Sequence, residues 1–136
     1  MSEEIYLLDT NIISALLRRD PIAEQRLENT LAANATIILS PIAFYETKRG
    51  LLKRDAKKQM AFFERLTSKL TWSDVEQKDW DEAARLWADR EKAGAPIQDA
   101  DLLIAVLTKR LRAILVTDNE KDFRDLGVRV ENWRGR

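Results

Sequence analysis

The chain contains no cysteine and no histidine. Without cysteine there is no disulfide, no thiolate nucleophile and no cysteine zinc site. Without histidine there is no Ser-His-Asp triad, no His-Cys pair, no histidine metal site and no histidine-based ribonuclease chemistry. Hydrolytic or acid–base chemistry must then come from carboxylates, lysine, tyrosine or metal-bound water. Net charge is missing too: 23 Lys and Arg balance 23 Asp and Glu. No global field recruits nucleic acid, so a polyanion site has to be a local patch or has to use metal. No stretch approaches the roughly 18 apolar residues of a membrane span. The start, Met1-Ser2-Glu3-Glu4, is acidic and has no apolar signal core. These absences give the expectation of a soluble, cytoplasmic protein with no membrane segment. Three prolines and four glycines are spread thinly, and no repeat, low-complexity tract or linker interrupts the pattern.

What is present describes one ordinary globular domain, residues 1–136, with 45% apolar and 34% charged residues. Ile5 to Leu8 is a short, continuously apolar run ending at Asp9-Thr10-Asn11, as a buried strand delivering a polar turn would. Ile12, Ile13, Leu16 and Leu17 then follow helical spacing, and Asp20-Pro21 restarts a helix to about Ala33. Thr36 to Leu39 is a second strand, followed by a helix from Ser40-Pro41 to Lys53 and another over Ala56 to Ser68. Leu70 to Trp72 reads as a short strand. Ser73-Asp74 would cap a long helix, Val75 to Ala93, closed by Gly94. A helix over Asp99 to Arg110, a strand over Ile114 to Thr117, a short helix near Lys121 to Leu126 and a strand over Val128 to Glu131 complete the order. Strands separated by helices require crossovers, which predicts a three-layer α/β/α fold around a mostly parallel twisted sheet. Such sheets bind ligands outside the carboxyl ends of their strands.

Two of four separated acids, Asp9 and Asp118, fall at those ends, and the other two, Glu46 and Asp101, sit about a turn into the helix-like stretches that begin at Pro41 and Gln98. Each has a plain alternative role. Asp9 would cap the helix at Asn11, Asp118 the helix near Lys121, and Asp99 the helix containing Asp101. Glu46 could lie on a solvated face, although its neighbours Ile42-Ala43-Phe44-Tyr45 look buried. Four independent caps would not converge on one sheet edge, whereas ligands of a hard divalent cation would. Oxygen-only ligands suit Mg²⁺ or Mn²⁺. Lys48, Arg49, Lys53, Arg54, Lys57 and Lys58 lie near Glu46 in sequence and offer a basic rim for phosphates, though each alone suits a solvated helix face.

At these residues the sequence resembles the PIN-domain ribonucleases, and among them the VapC toxins of bacterial toxin–antitoxin pairs. The matching segments are Leu7-Leu8-Asp9-Thr10-Asn11-Ile12-Ile13, Ser40-Pro41-Ile42 through Tyr45-Glu46 to Arg49-Gly50-Leu51-Leu52, and Pro96 to Ala105. Leu115-Val116-Thr117-Asp118-Asn119 with Phe123, and Val130-Glu131-Asn132-Trp133, complete the set in family order. One departure is Ile104-Ala105-Val106 in place of the family's common Ile-Ala-Ala, a change of packing more than chemistry. The resemblance implies a divalent-metal site with Asp9, Glu46 and Asp101 as principal carboxylates and Asp118 at a fourth position. It makes Asn11 and Thr117 supporting residues. Asp99 joins only if the helix starts between it and Asp101, since residues two apart point about 200° apart on a helix. It further implies an RNA substrate such as a tRNA, a VapB-type antitoxin that blocks the site, and a homodimer. Trp80 and Trp87, seven apart on one helix face, read as core, with a dimer or antitoxin surface as the alternative.

The resulting expectation is a Mg²⁺-dependent endoribonuclease that cuts RNA with metal-activated water. The competing reading is another Mg²⁺-dependent phosphoryl-transfer domain, an aspartate phosphatase or a receiver-like module. A phosphatase of that class needs a second aspartate two after the first, yet Asp9 is followed by Thr10-Asn11; a receiver needs adjacent early acids and a late lysine where Asp118-Asn119 stands. A third reading is a binding module that keeps the fold without catalysis.

Overall fold

The computed structural model describes residues 4–135; Met1 to Glu3, most of the acidic start, lie outside the described residues. Five strands form one sheet, β1 (Ile5–Leu8), β2 (Thr36–Leu39), β3 (Thr71–Trp72), β4 (Ile114–Val116) and β5 (Arg129–Glu131). The spatial order is β3-β2-β1-β4-β5 and every pairing is parallel. The helices are α1 (Thr10–Leu17), α2 (Pro21–Ala32), α3 (Pro41–Lys53), α4 (Lys57–Thr67), α5 (Gln77–Lys92) and α6 (Asp99–Arg110), with a short 3₁₀ turn at Glu120–Phe123. Among the described residues no helix is long and apolar enough to cross a membrane.

Side-chain alternation along the strands divides the core into two. Leu7, Ile38 and Leu115 face a layer built on α6, with Ile104, Ala105, Leu107 and Phe123. Leu8, Ile37, Leu39 and Val116 face the layer of α1 to α4, with Ile12, Leu16, Leu51, Phe63 and Trp133. The period of two along a strand makes this division. It explains why Leu7-Leu8 and Ile37-Ile38-Leu39 are apolar without a break: both faces of the sheet are covered. The three-layer parallel architecture is therefore the expected one.

Chain order runs one way from β1 through β2 to β3 and the other way through β4 and β5. The reversal lies between β1 and β4, where neighbouring strands send their following segments to opposite sides and leave a crevice. Asp9 and Thr117 are the first residues beyond those two strands.

Differences from the sequence pattern are local. Helix α5 begins at Gln77 instead of Val75, because Glu76 and Asp79 form a reciprocal capping box there. Asp79 is buried and accepts from Arg110 Nε at 2.8 and 3.0 Å, which fastens α5 to α6. Trp80 and Trp87, expected in the core, are 55% and 46% exposed. The face of α5 turned inward carries Asp79 and Ala83, so the tryptophans flank it. The segment near Lys121 forms a 3₁₀ turn instead of an α-helix.

The scarcity of glycine is felt at helix ends. Arg19, Asn34, Asp55 and Arg112 each adopt a left-handed backbone (φ 52 to 62°) just past the C-caps of α1, α2, α3 and α6. That conformation is disfavoured for residues bearing Cβ, and glycine is the usual occupant. Arg112 is exposed. Replacing Arg112 by Gly is expected to stabilise the protein by about 0.5–1 kcal/mol, read as a rise in denaturant midpoint with an unchanged slope.

Candidate active site

The crevice between β1 and β4 is organised around Asp9. Its backbone N–H donates to the Val116 carbonyl at 2.9 Å, extending the β1–β4 pairing by one bond. Its carboxylate caps α1, with Oδ1 accepting from the Thr10 N–H at 2.8 Å. Oδ2 accepts from Thr117 Oγ1 at 2.8 Å and from Asn11 Nδ2 at 3.4 Å. Asp9 is thus a helix cap that also lies at the crevice. It is buried, and burial holds its carboxyl above the usual range, with the charges of Glu46 and Asp122 adding to the effect and the bonds from Thr117 and Thr10 opposing it.

Two supporting residues tie the strand ends together. Asn11 Oδ1 accepts from the Asp118 N–H at 3.0 Å while its amide donates to Thr117 Oγ1 at 3.3 Å. Thr117 Oγ1 also accepts from the Asn119 N–H at 3.0 Å, which shapes the turn after β4. From α3, Glu46 enters against α1: Thr10 Oγ1 donates to Glu46 Oε1 at 2.7 Å. The nearest cation to Glu46 is Arg49, 4.0 Å from Oε2, and its guanidinium also lies over the Tyr45 ring.

Asp101 sits in the first turn of α6. Its carboxyl is pushed up to about 6, first by burial and then by the charges of Asp9, Asp122 and Glu46. These four acids therefore share one electrostatic neighbourhood, and Asp122 is the member that the sequence pattern does not mark. It lies in the 3₁₀ turn and accepts from Asn119 Nδ2 at 2.9 Å. The available signal was Phe123: this buried anchor brings the turn back onto α6.

Asp118 is engaged differently. Its carboxylate accepts from Arg134 Nη1 at 2.9 Å and Asn132 Nδ2 at 3.2 Å, and Arg134 also reaches Asp20 at 3.2 Å. Asp99 is the first residue of α6, behind Gln98 at the N-cap, and is exposed beside Trp80 and Trp87 at a cavity of about 510 Å³. The helix thus starts ahead of both Asp99 and Asp101, and the two point apart. Of the basic candidates, Lys48, Arg49, Lys53 and Arg54 are all exposed on α3 or its C-cap; Lys48 rests over the Phe44 ring and Arg54 faces Gln59.

The donor set is wholly oxygen and anionic, which fits a hard divalent ion. Among the described residues no three carboxylates are drawn together tightly enough to ligate one ion at once. One or two carboxylates with water completing the shell is the arrangement Mg²⁺ takes.

The PIN domain family model matches residues 6–128. The chain is similar to Ribonuclease VapC2 of Rickettsia felis, 33% identical over 131 residues, covering 95% of this chain and 98% of the relative. It is also similar to Ribonuclease VapC2 of Haemophilus influenzae, 30% identical over 130 residues, covering 94% and 97%. Among solved structures it resembles VapBC2 from Rickettsia felis bound to a DNA fragment from their promoter. That likeness has a TM-score of 0.85 and 31% identity, over 95% of this chain and 98% of the other.

Burial of Asp101, and then its crowding by other acids, carries a cost to folding. Asp101 holds its proton more tightly folded than unfolded, so its contribution to stability is fully present below the unfolded value of 3.8 and is lost as pH rises through about 6. In chelator, Asp101→Asn should stabilise the protein at pH 7 by about 1 kcal/mol, a figure reduced for the half-exposed position. The gain should vanish by about pH 4, as measured by urea unfolding across that range.

Proposed function

The chain belongs to the PIN-domain family as a VapC ribonuclease, the toxin half of a VapBC pair, and on that premise we propose how its site works. The substrate is RNA and the reaction is hydrolysis of a phosphodiester. Asp9 and Asp101 would hold Mg²⁺, with Mn²⁺ as a substitute, and Glu46 would join them directly or through water. A bound Mg²⁺ supplies a nucleophilic water at neutral pH and stabilises charge on the phosphate oxygens.

The protein's own part is to fix the carboxylates before substrate arrives. Thr117, Asn11 and the Thr10 N–H set the orientation of Asp9, and Thr10 Oγ1 sets Glu46. Such prior fixation lowers the reorganisation needed in the transition state. Asp122, whose charge acts on both Asp9 and Asp101, stands as the fourth acid. Asp118, paired with Arg134, holds the turn that carries Asp122 and has its backbone on Asn11. Lys48, Arg49, Lys53 and Arg54 offset the repulsion between RNA and an acidic crevice. The observation that carries this reading is the gathering of Asp9, Glu46, Asp101 and Asp122 into one neighbourhood, where burial first and the charges of the other three second push the Asp101 carboxyl up to about 6.

The partners follow from the same reading: a VapB-type antitoxin that covers the site, a tRNA-like substrate, and a second copy of the chain, all in the cytoplasm. The second copy suits the exposed apolar face carrying Tyr45, Trp72, Trp80 and Trp87. Sedimentation at micromolar concentration should find a dimer that Trp80→Ser converts to monomer; a monomeric unsubstituted protein would overturn that assignment.

For the activity itself, RNA cleavage should require Mg²⁺ and fall by about 10²-fold or more in Asp9→Ala. Full cleavage in excess chelator would sink the metal-dependent mechanism. Asp122→Asn should reduce cleavage more than Asp118→Asn, and the reverse order would return the fourth position to Asp118.

A further inference from the structure

Beside the acidic crevice lies a cavity of about 400 Å³ between α1, α3 and α4. It shares a wall with the crevice, since Thr10 and Glu46 line both. Thr47, one residue after Glu46, is 6% exposed and lines the cavity. Its hydroxyl is the one buried side-chain polar atom among the described residues with no hydrogen-bond partner in the protein. A threonine inside a helix ordinarily returns its hydroxyl to the carbonyl four residues back. Thr108 does so to Ile104 at 2.7 Å and Thr30 to Arg26 at 2.7 Å. Thr47 does not, and an orphaned buried hydroxyl costs stability unless something else uses it.

The opposite side is cationic and partly built. Arg18, the C-cap of α1, and Arg54, the C-cap of α3, both line the cavity. Arg54 Nη2 donates to Gln59 Oε1 at 3.4 Å, and Gln59 Nε2 donates to the Leu17 carbonyl at 3.3 Å, a chain that links α3, α4 and α1. Gly50 leaves room for that guanidinium: a Cβ there would lie 3.3 Å from Arg54 Nη1. Two guanidinium groups, an unused hydroxyl and a wall shared with the crevice at Thr10 and Glu46 match a phosphorylated, hydroxyl-rich ligand. An aliphatic peptide side chain would leave Thr47 Oγ1 unpaired.

We propose that this cavity is a substrate subsite seating the nucleotide that flanks the scissile phosphodiester, with Arg18 and Arg54 on its phosphate and Thr47 Oγ1 hydrogen-bonded to the same nucleotide. The subsite rests on the ribonuclease reading above and adds to it the residues that hold RNA next to the cut. It also gives Arg54 a specific task among the basic residues of α3.

The test is equilibrium binding of a fluorescent pool of random-sequence single-stranded RNA to the full chain carrying Asp9→Asn, which prevents cleavage. Onto this are added Thr47→Val, Arg18→Gln or Arg54→Gln. Thr47→Val should weaken binding about fivefold while the melting temperature holds or rises, because valine removes the orphaned hydroxyl. Each arginine variant should weaken binding about five- to tenfold and make the slope of log K against log salt shallower by about 0.7. Unchanged RNA affinity and slope in all three variants would overturn the subsite. So would unchanged RNA affinity with a loss of antitoxin affinity, which would assign the cavity to a peptide. A fall in melting temperature for Thr47→Val without loss of RNA binding would make Thr47 structural and equally overturn its role. If the protein without substitutions fails to cut RNA in Mg²⁺, the ribonuclease reading falls and takes the subsite with it. Cleavage with unaltered variant binding removes the subsite alone.

Discussion

The hydrogen bond from Thr117 Oγ1 to Asp9 Oδ2 joins the ends of two adjacent strands whose residues are 108 positions apart in the chain. It is buried, so its loss would leave an ionisable group and a hydroxyl both unsatisfied in a place water reaches poorly. From it the crevice is assembled outward. Asn11 braces the same two residues and takes the Asp118 N–H, Asn119 closes the turn onto Thr117, and Asn119 then reaches Asp122. The parallel pairing of β1 with β4 is what brings the two strand ends into register, with Leu8 opposite Val116. The site depends on the sheet, and the sheet is covered by a core on each face.

Charge is managed in two tiers around that bond. At the centre, burial raises the cost of charging Asp9 and Asp101, and the charges of Glu46 and Asp122 on both, and of Asp9 on Asp101, add to it. At the rim, acids are given cations instead: Asp118 and Asp20 share Arg134, and Glu131 pairs with Arg26 at 2.8 Å. The distinction is physical. A carboxylate already paired with a guanidinium gains less from an ion, whereas a crowded group gains most from one. The tail that carries Arg134 is itself anchored by Trp133, fully buried, whose indole donates to Glu131 at 2.9 Å. The last segment of the chain thereby sorts the acids into a central set and a neutralised fringe.

Much of this was legible in the sequence, and the rest was not for identifiable reasons. Continuous apolar runs ending in polar residues locate β1, β2 and β4 because a buried parallel strand has no solvent face to interrupt it. Pro41 after Ser40 and Pro21 after Asp20 locate helix starts because proline fits the first turn and the preceding residue caps it. Helix α5 misled twice. Its cap is a tertiary-supported pairing of Glu76 with Asp79, and its inward face holds an aspartate bound by Arg110, so hydrophobicity alone pointed to the tryptophans as core. Asp122 was hidden because its position depends on where Phe123 packs, a contact with α6 that no local pattern encodes. Asp118, by contrast, stands out at a strand end, yet its partner Arg134 lies sixteen residues further on.

A protein with no net charge that acts on a polyanion must separate its charges in space. Here the separation runs along α3. Glu46 points to the acidic crevice, Thr47 to the neighbouring cavity, and the basic residues from Lys48 to Arg54 follow in the next two turns. In the mechanism and subsite proposed above, one helix would carry both a ligand for the cation and contacts for the anion, and its rotation about its own axis would fix their spacing. That spacing is held by the bond from Thr10 to Glu46 at one end and by the Leu17–Gln59–Arg54 chain at the other. Both bonds lead to α1, the helix that Asp9 caps. On that reading substrate geometry and metal geometry would be referred to the same short helix, so a shift in α1 would disturb both together.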